Sequence, residues 1–300
     1  MNTATPRPDA GQLSSGTVYT LVAAAGFAAV SIFTTKAIAT GLTLATVLAW
    51  RFVIAAAVLT TFVGARGYPR IPPNEMLKFV AIGGFGQALL IYLALSALAY
   101  IPVATLAFLF YTYPAWVALT QTVRGAERLD RRRALALVLS FGGIGVMVGM
   151  PGAGTIDWRG VALALGAAIV YGIYIPVMRH LQADHPVPPT SAYGKIGAAL
   201  AFLVMSVTQQ SFTYRLTPEA WLTIGALAVF STVLPGVLFT MGLVRLGPVR
   251  TAIVSTVEPF LTAVLGVLVL SQSLTVPTLV GGALVVSAVV VLQFKRERVA

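Results

Sequence analysis

The sequence predicts an all-α membrane protein of ten transmembrane helices, built as two inverted five-helix repeats. Three observations carry this expectation. Apolar stretches long enough to cross a bilayer recur along nearly the whole chain, the few charges gather between them, and polar and proline landmarks return at a nearly constant spacing.

Hydrophobic residues occupy 58% of the 300 positions and charged residues only 10%, with a mean hydropathy of +0.89. Soluble domains carry roughly 25% charged residues. Crossing about 30 Å of hydrocarbon takes roughly 20 residues of helix, and a backbone in lipid must satisfy its own N–H and C=O groups. Ten stretches meet that demand: 17–37, 43–63, 76–99, 102–123, 133–150, 159–180, 190–209, 219–243, 248–270 and 276–294. A membrane β-barrel would alternate apolar and polar positions, whereas Val280 to Leu292 runs apolar through consecutive positions. Residues 1–16 are polar and lack the basic start of a secretory signal, so they are expected to form a tail, as are residues 296–300. The absence of cysteine removes disulfides, thiolate metal sites and cysteine nucleophiles together.

A net charge of +11 raises the question of nucleic acid, but the basic residues lie between apolar spans. Fifteen of the 20 Lys and Arg fall on the side of the N-terminus, Lys36, Arg159 and Arg215 fall on the other, and Arg51 and Lys195 lie inside spans. The positive-inside rule then places both termini in the cytoplasm of a cell whose inner membrane holds the chain. Lipids and a small molecule are the expected partners, with no nucleic acid.

The two halves align at an offset that drifts only between 143 and 146 residues. Lys36 meets Arg179, Arg51 meets Lys195, Pro102 and Thr105 meet Pro248 and Thr251, Tyr113-Pro114 meets Glu258-Pro259, and Glu127-Arg128-Leu129 meets Gln272-Ser273-Leu274. The repeats are expected at 17–150 and 151–295. Five spans per half is an odd number, so the second half must enter the membrane upside down. Inverted repeats around a midplane site are a hallmark of secondary transporters.

These landmarks resemble the drug/metabolite transporter superfamily, specifically its ten-helix EamA-type exporters. The resemblance covers roughly residues 16 to 294. It rests on Lys36 at the end of span one, Arg51 early in span two, the Tyr-Pro and Glu-Pro steps of spans four and nine, Gly-Ala-Glu-Arg-Leu at 125–129, and glycine-rich fifth and tenth spans. Within the superfamily the chain looks most like the YddG-type exporters. That resemblance implies outward movement of amino acids with aromatic or apolar side chains, or alternatively of lipophilic drugs and other metabolites. The second half reads Ser-Gln-Ser-Leu-Thr at 271–275 where the family often has Gly-Glu-Arg-Leu, so no role for that acid carries over.

Of nine acidic residues only Glu258 lies deep in a span. A mid-bilayer charge costs at least about 2.5–3.5 kcal/mol, so the group must face the bundle interior, find partners or take up a proton. Thr251, Ser255 and Thr262 stand at helical spacing from it, a polar stripe expected to face a central cavity. Two readings compete: a carboxyl that fixes packing, and one that binds substrate or a proton. Pro259 beside it, and Pro114 in the first half, remove backbone donors where the helices are expected to break or gate.

The counterpart of Glu258 is Tyr113, which shares a face with Phe110; Tyr92, Tyr111, Tyr171 and Tyr174 are further mid-span tyrosines. A tyrosine offers a flat apolar body and one polar tip, fit either for a solute cavity or for ordinary packing. Lys36 and Arg51 could attract a solute carboxylate; the alternative is that they snorkel to outer headgroups. Glycines 142, 145 and 149, with Gly281-Gly282, are expected at close helix contacts.

No cofactor, metal site or catalytic group is expected. His180 and His185 are the only histidines, and no His-Glu-x-x-His pair or Walker phosphate loop occurs. A channel filter or a soluble receptor domain is likewise missing from the pattern. Topology is directly testable on this cysteine-free chain. Single Arg128→Cys and Arg298→Cys variants should react with an impermeant thiol reagent only from the cytoplasmic face, and Ser273→Cys only from outside. Labelling of positions 128 and 273 from one face would sink the inverted repeat.

Overall fold

The computed structural model describes residues 10–123, 131–149, 156–182, 184–255 and 257–293. The Glu127-Arg128-Leu129 landmark and both chain ends therefore fall outside the described residues. Helix forms wherever the apolar stretches run. The first repeat contains α1 (Ala10–Ala28), α2 (Val30–Ala39), α3 (Leu44–Arg66), α4 (Pro73–Lys78), α5 (Gly86–Ser96), α6 (Val103–Phe110), α7 (Tyr113–Val123) and α8 (Arg131–Gly149). The second contains α9 (Trp158–Leu181), α10 (Val187–Thr208), α11 (Pro218–Ala228), α12 (Leu234–Ser255), α13 (Val257–Leu270) and α14 (Val276–Gln293). Among the described residues six segments are long and apolar enough to cross a membrane, and Val103–Val117, Ala134–Val146, Val257–Leu270 and Val276–Val291 are shorter apolar helices.

Local chemistry sets the ends. Thr43 and Thr217 cap α3 and α11 by accepting hydrogen bonds from the backbone N–H groups of Thr46 and Ala220, and Pro218 opens α11 where a missing N–H costs nothing. Gly67 ends α3 in the left-handed region at φ 62°.

Two boundaries differ from expectation. Helix begins at Ala10 rather than near residue 17, so part of the expected tail is helical. The loop expected at 244–247 is helix, because α12 runs on from Leu234 to Ser255.

The packing partners exchange when the repeats are exchanged. α1 lies along α12 and α5 along α9, while α3 pairs with α10 and α8 with α14. The third span of each repeat also widens into a π turn, Phe79–Phe85 in one and Val229–Val233 in the other. Such turns concentrate at functional sites.

Close approach at the first π turn requires glycine. A Cβ on Gly84 would stand 2.4 Å from the Cα of Gly197, and one on Gly197 would stand 2.0 Å from the carbonyl oxygen of Val80. In the fifth spans the expectation needs correction: Gly142 and Gly145 face open space, and it is Gly143 whose Cβ would meet the Gly281 carbonyl at 2.6 Å. Gly282 lies against the Phe108 ring as expected of a close contact, and Gly149 falls outside the described side chains. Apolar side chains such as Val204 and Leu268 are exposed outward, the reverse of a water-soluble surface.

Gly197→Ala should therefore lower the thermal unfolding temperature in detergent by several degrees, because backbone must shift to admit the methyl. Gly142→Ala should leave it unchanged or raise it slightly, since alanine favours helix by up to about 1 kcal/mol. Equal unfolding temperatures for the two variants would contradict this packing.

Candidate functional site

A cavity of about 550 Å³ lies between the repeats, and both supply its walls. One part of its lining is aromatic. Phe110 stacks on Tyr171 with ring centroids 5.3 Å apart, Tyr113 meets Tyr171 edge-on at 4.8 Å, and Tyr111 and Tyr174 extend the cluster on either side. These rings come together because α6 ends at Phe110, the chain turns at Tyr111 and Thr112, and α7 restarts at Tyr113, beside α9. Pro114 occupies the first turn of α7, where a missing N–H is harmless. The helix break at Tyr111 and Thr112 thus lies just before Pro114, not within the turn that proline was expected to weaken.

Glu258 lines the cavity from the first turn of α13. The Tyr111 hydroxyl lies 2.9 Å from its Oε2 and 2.5 Å from the carbonyl oxygen of Ser255, so one phenol bridges the two repeats. Thr262 also lines the cavity, its hydroxyl 3.3 Å from the Ala28 carbonyl. The rest of the expected polar stripe does not reach the lining: Thr251 and Ser255 are buried in packing, and the Ser255 hydroxyl has no hydrogen-bond partner. Tyr92 packs against the cluster around Leu48 and Phe202 instead of the cavity. Lys36 is exposed near the end of α2, away from the lining.

In the second part of the lining the sequence had singled out Arg51 as a group that could attract a solute carboxylate, but not Lys195. Arg51 is only 3% exposed and Lys195 only 7%, and both border the cavity, so snorkelling to the headgroups is not the fate of Arg51. Arg51 Nε donates to Thr232 Oγ1 at 2.7 Å, and Lys195 Nζ donates to Gln87 Oε1 at 2.8 Å. Each bond runs from one repeat to the other. The alignment of Arg51 with Lys195 was the available signal, since it marked the two positions as equivalent.

At one end the lining reaches Gln182 and Thr190, which hydrogen-bond to each other near the α9–α10 connection. At the other end Trp50 stacks on Phe212 and meets Trp221 edge-on, while Trp50 Nε1 donates to the Thr213 carbonyl at 2.9 Å. Among the described residues no group of three or more His, Cys, Asp or Glu could hold a metal ion.

A helical bundle with a cavity shared by two matching halves defines a membrane carrier. The sequence pattern of the EamA-like transporter family matches residues 14–149 and again 158–294, and the chain belongs to that family. It is a multi-pass membrane transporter and not an enzyme. It is 31% identical over 202 residues to the threonine/homoserine exporter RhtA of Escherichia coli, covering 66% of this chain and 64% of that one. The corresponding Salmonella typhimurium protein is 38% identical over 122 residues, 40% of each chain. An uncharacterized transporter of Synechocystis is 29% identical over 234 residues, 75% of this chain and 69% of that protein. A crystal structure of another protein shares the fold, with a TM-score of 0.66 at 20% identity over 93% of this chain and 96% of that one.

Tyr111→Phe removes the hydroxyl that lies within hydrogen-bond distance of two buried acceptors, at a cost of about 1–3 kcal/mol. Its thermal unfolding temperature should fall by several degrees. An unchanged value would mean that the Ser255 carbonyl and Glu258 find other donors.

Proposed function

We propose that this transporter exports amino acids with aromatic or apolar side chains from the cytoplasm, by alternating access around the cavity between its repeats. The observation that carries the reading is the lining itself: a cluster of four tyrosines and Phe110 beside a single carboxyl group, Glu258. Aromatic walls bury an apolar side chain at about 25 cal/mol per Å². Glu258 is placed to meet an amino group, or to exchange a proton for it.

In this reading the second repeat enters the membrane inverted, and both termini face the cytoplasm of a bacterial inner membrane. The lining's reach to Gln182 and Thr190 then supports loading from the cytoplasmic end, with the Trp50 cluster closing the outer end. Exchange of the helix partners between the repeats provides two near-equivalent packings, one for each opening.

A second reading follows from the relatives. RhtA is named for threonine and homoserine, both small and polar, and such solutes would use the same charged groups without filling the aromatic wall. One added methylene changes binding by only about 1–3 kcal/mol, so apolar amino acids can share one site.

Proteoliposomes holding the purified protein should speed the movement of labelled phenylalanine and show competition by leucine and methionine, more strongly than by threonine. Glu258→Gln should fold normally, lose most transport and flatten its pH dependence; among the described residues the titratable groups in the ring cluster beside it are Tyr111, Tyr113, Tyr171 and Tyr174. Transport of a lipophilic cation with no amino acid moved would favour a drug exporter. Wild-type behaviour of Glu258→Gln would return that residue to a packing role.

A further inference from the structure

Two cations lie inside the bundle without an anion. Among the described residues neither Arg51 nor Lys195 forms an ion pair with a carboxylate. Arg51 spends only Nε on the protein, and its Nη1 is buried with no hydrogen-bond partner at all. The Arg51 guanidinium and the Lys195 ammonium lie 5.1 and 5.6 Å from the centroid of the same Phe52 ring. Lys195 Nζ is also 3.9 Å from where a Cβ on Gly236 would stand, so α12 leaves room at that head.

Like charges gathered in a low-dielectric interior repel one another and have each lost most of their hydration. Neutral partners such as Thr232 and Gln87 hold them in place but supply no opposite charge. Charges retained inside a membrane protein pair, line a watery cavity or meet a charged ligand. Here they border the cavity, and guanidinium is the side chain best shaped to grip a carboxylate with two parallel hydrogen bonds.

We propose that Arg51 and Lys195 form the anion subsite of the cavity and bind the carboxylate of the transported solute. This rests on the cavity being the transport site, and it deepens the amino-acid reading. Glu258 takes the amino group, Arg51 and Lys195 take the carboxylate, and the tyrosine wall takes the side chain. The pair also joins the repeats, since Arg51 reaches Thr232 and Lys195 reaches Gln87. A carboxylate bound between them would act on both halves at once.

The test measures ligand-dependent thermal stabilisation of the purified protein by phenylalanine and threonine, by the amide of each, by 3-phenylpropionate and by sodium chloride. The free carboxylates should stabilise the wild type and the amides should not. Arg51→Gln and Lys195→Gln should each raise the half-saturating carboxylate concentration about 10- to 100-fold, the effect of removing a charged hydrogen-bond partner. Arg51→Lys, which keeps the charge and guards against misfolding, should lose less.

Equal stabilisation by acids and amides, or none by any carboxylate, overturns the subsite. So does saturation by chloride that excludes the carboxylates, which would mark a site for an inorganic anion. The amino-acid reading fails separately: 3-phenylpropionate binding that depends on Arg51, with no amino acid transported, keeps the subsite and discards that reading. Amino-acid transport with unchanged KM in Arg51→Gln does the reverse.

Discussion

Hydrocarbon offers no hydrogen bonds, and every feature of this chain answers to that constraint. Backbone groups close on themselves as helix. Hydroxyls within the spans do likewise, turning back on the preceding turn of their own helix: Thr20 to the Gly16 carbonyl, Thr34 to Val30, Thr60 to Ala56 and Thr240 to Gly236. Groups too long or too charged to be satisfied locally must go inward. Arg51, Lys195 and Glu258 all end at the one cavity for this reason.

Irregular backbone follows the same rule, because a broken or widened helix is tolerated in a membrane only against protein or beside a cavity. The break between α6 and α7 brings Tyr111 across to Glu258, and the first π turn presents the Gly83 carbonyl to the Tyr174 hydroxyl at 3.0 Å. The second π turn carries Thr232, the partner of Arg51. Each irregular segment thus adjoins a polar contact that spans two helices.

The crossed bonds of Arg51 and Lys195 show what duplication contributes. The residues occupy equivalent positions, and each reaches a side-chain oxygen on the third span of the other repeat. Two copies of one arrangement, facing each other, place two like charges at the centre. Neither copy alone would bring cations together, and no carboxylate in the described structure neutralises them.

Much of this was legible in the sequence. Ten apolar spans, the repeat, the EamA resemblance and the isolation of Glu258 follow from residue counts and spacing, because the length of a membrane helix and the cost of a deep charge are properties of the bilayer and need no knowledge of contacts. The direction each helix faces was not legible. A soluble helix marks its buried side with apolar residues, but here lipid and core are both apolar, so the faces of Leu44–Arg66 and Val187–Thr208 look alike and nothing distinguished an inward Arg51 from a snorkelling one. The same ambiguity misplaced Tyr92 and chose Gly142 over Gly143. It also extended the Glu258 stripe to Thr251 and Ser255, which are buried in packing and do not reach the cavity. Spans, repeat and deep charges belong to the sequence, while helix rotation and helix breaks were decided by tertiary contact, because in a membrane it is neighbouring helices, not water, that tell a side chain which way is in.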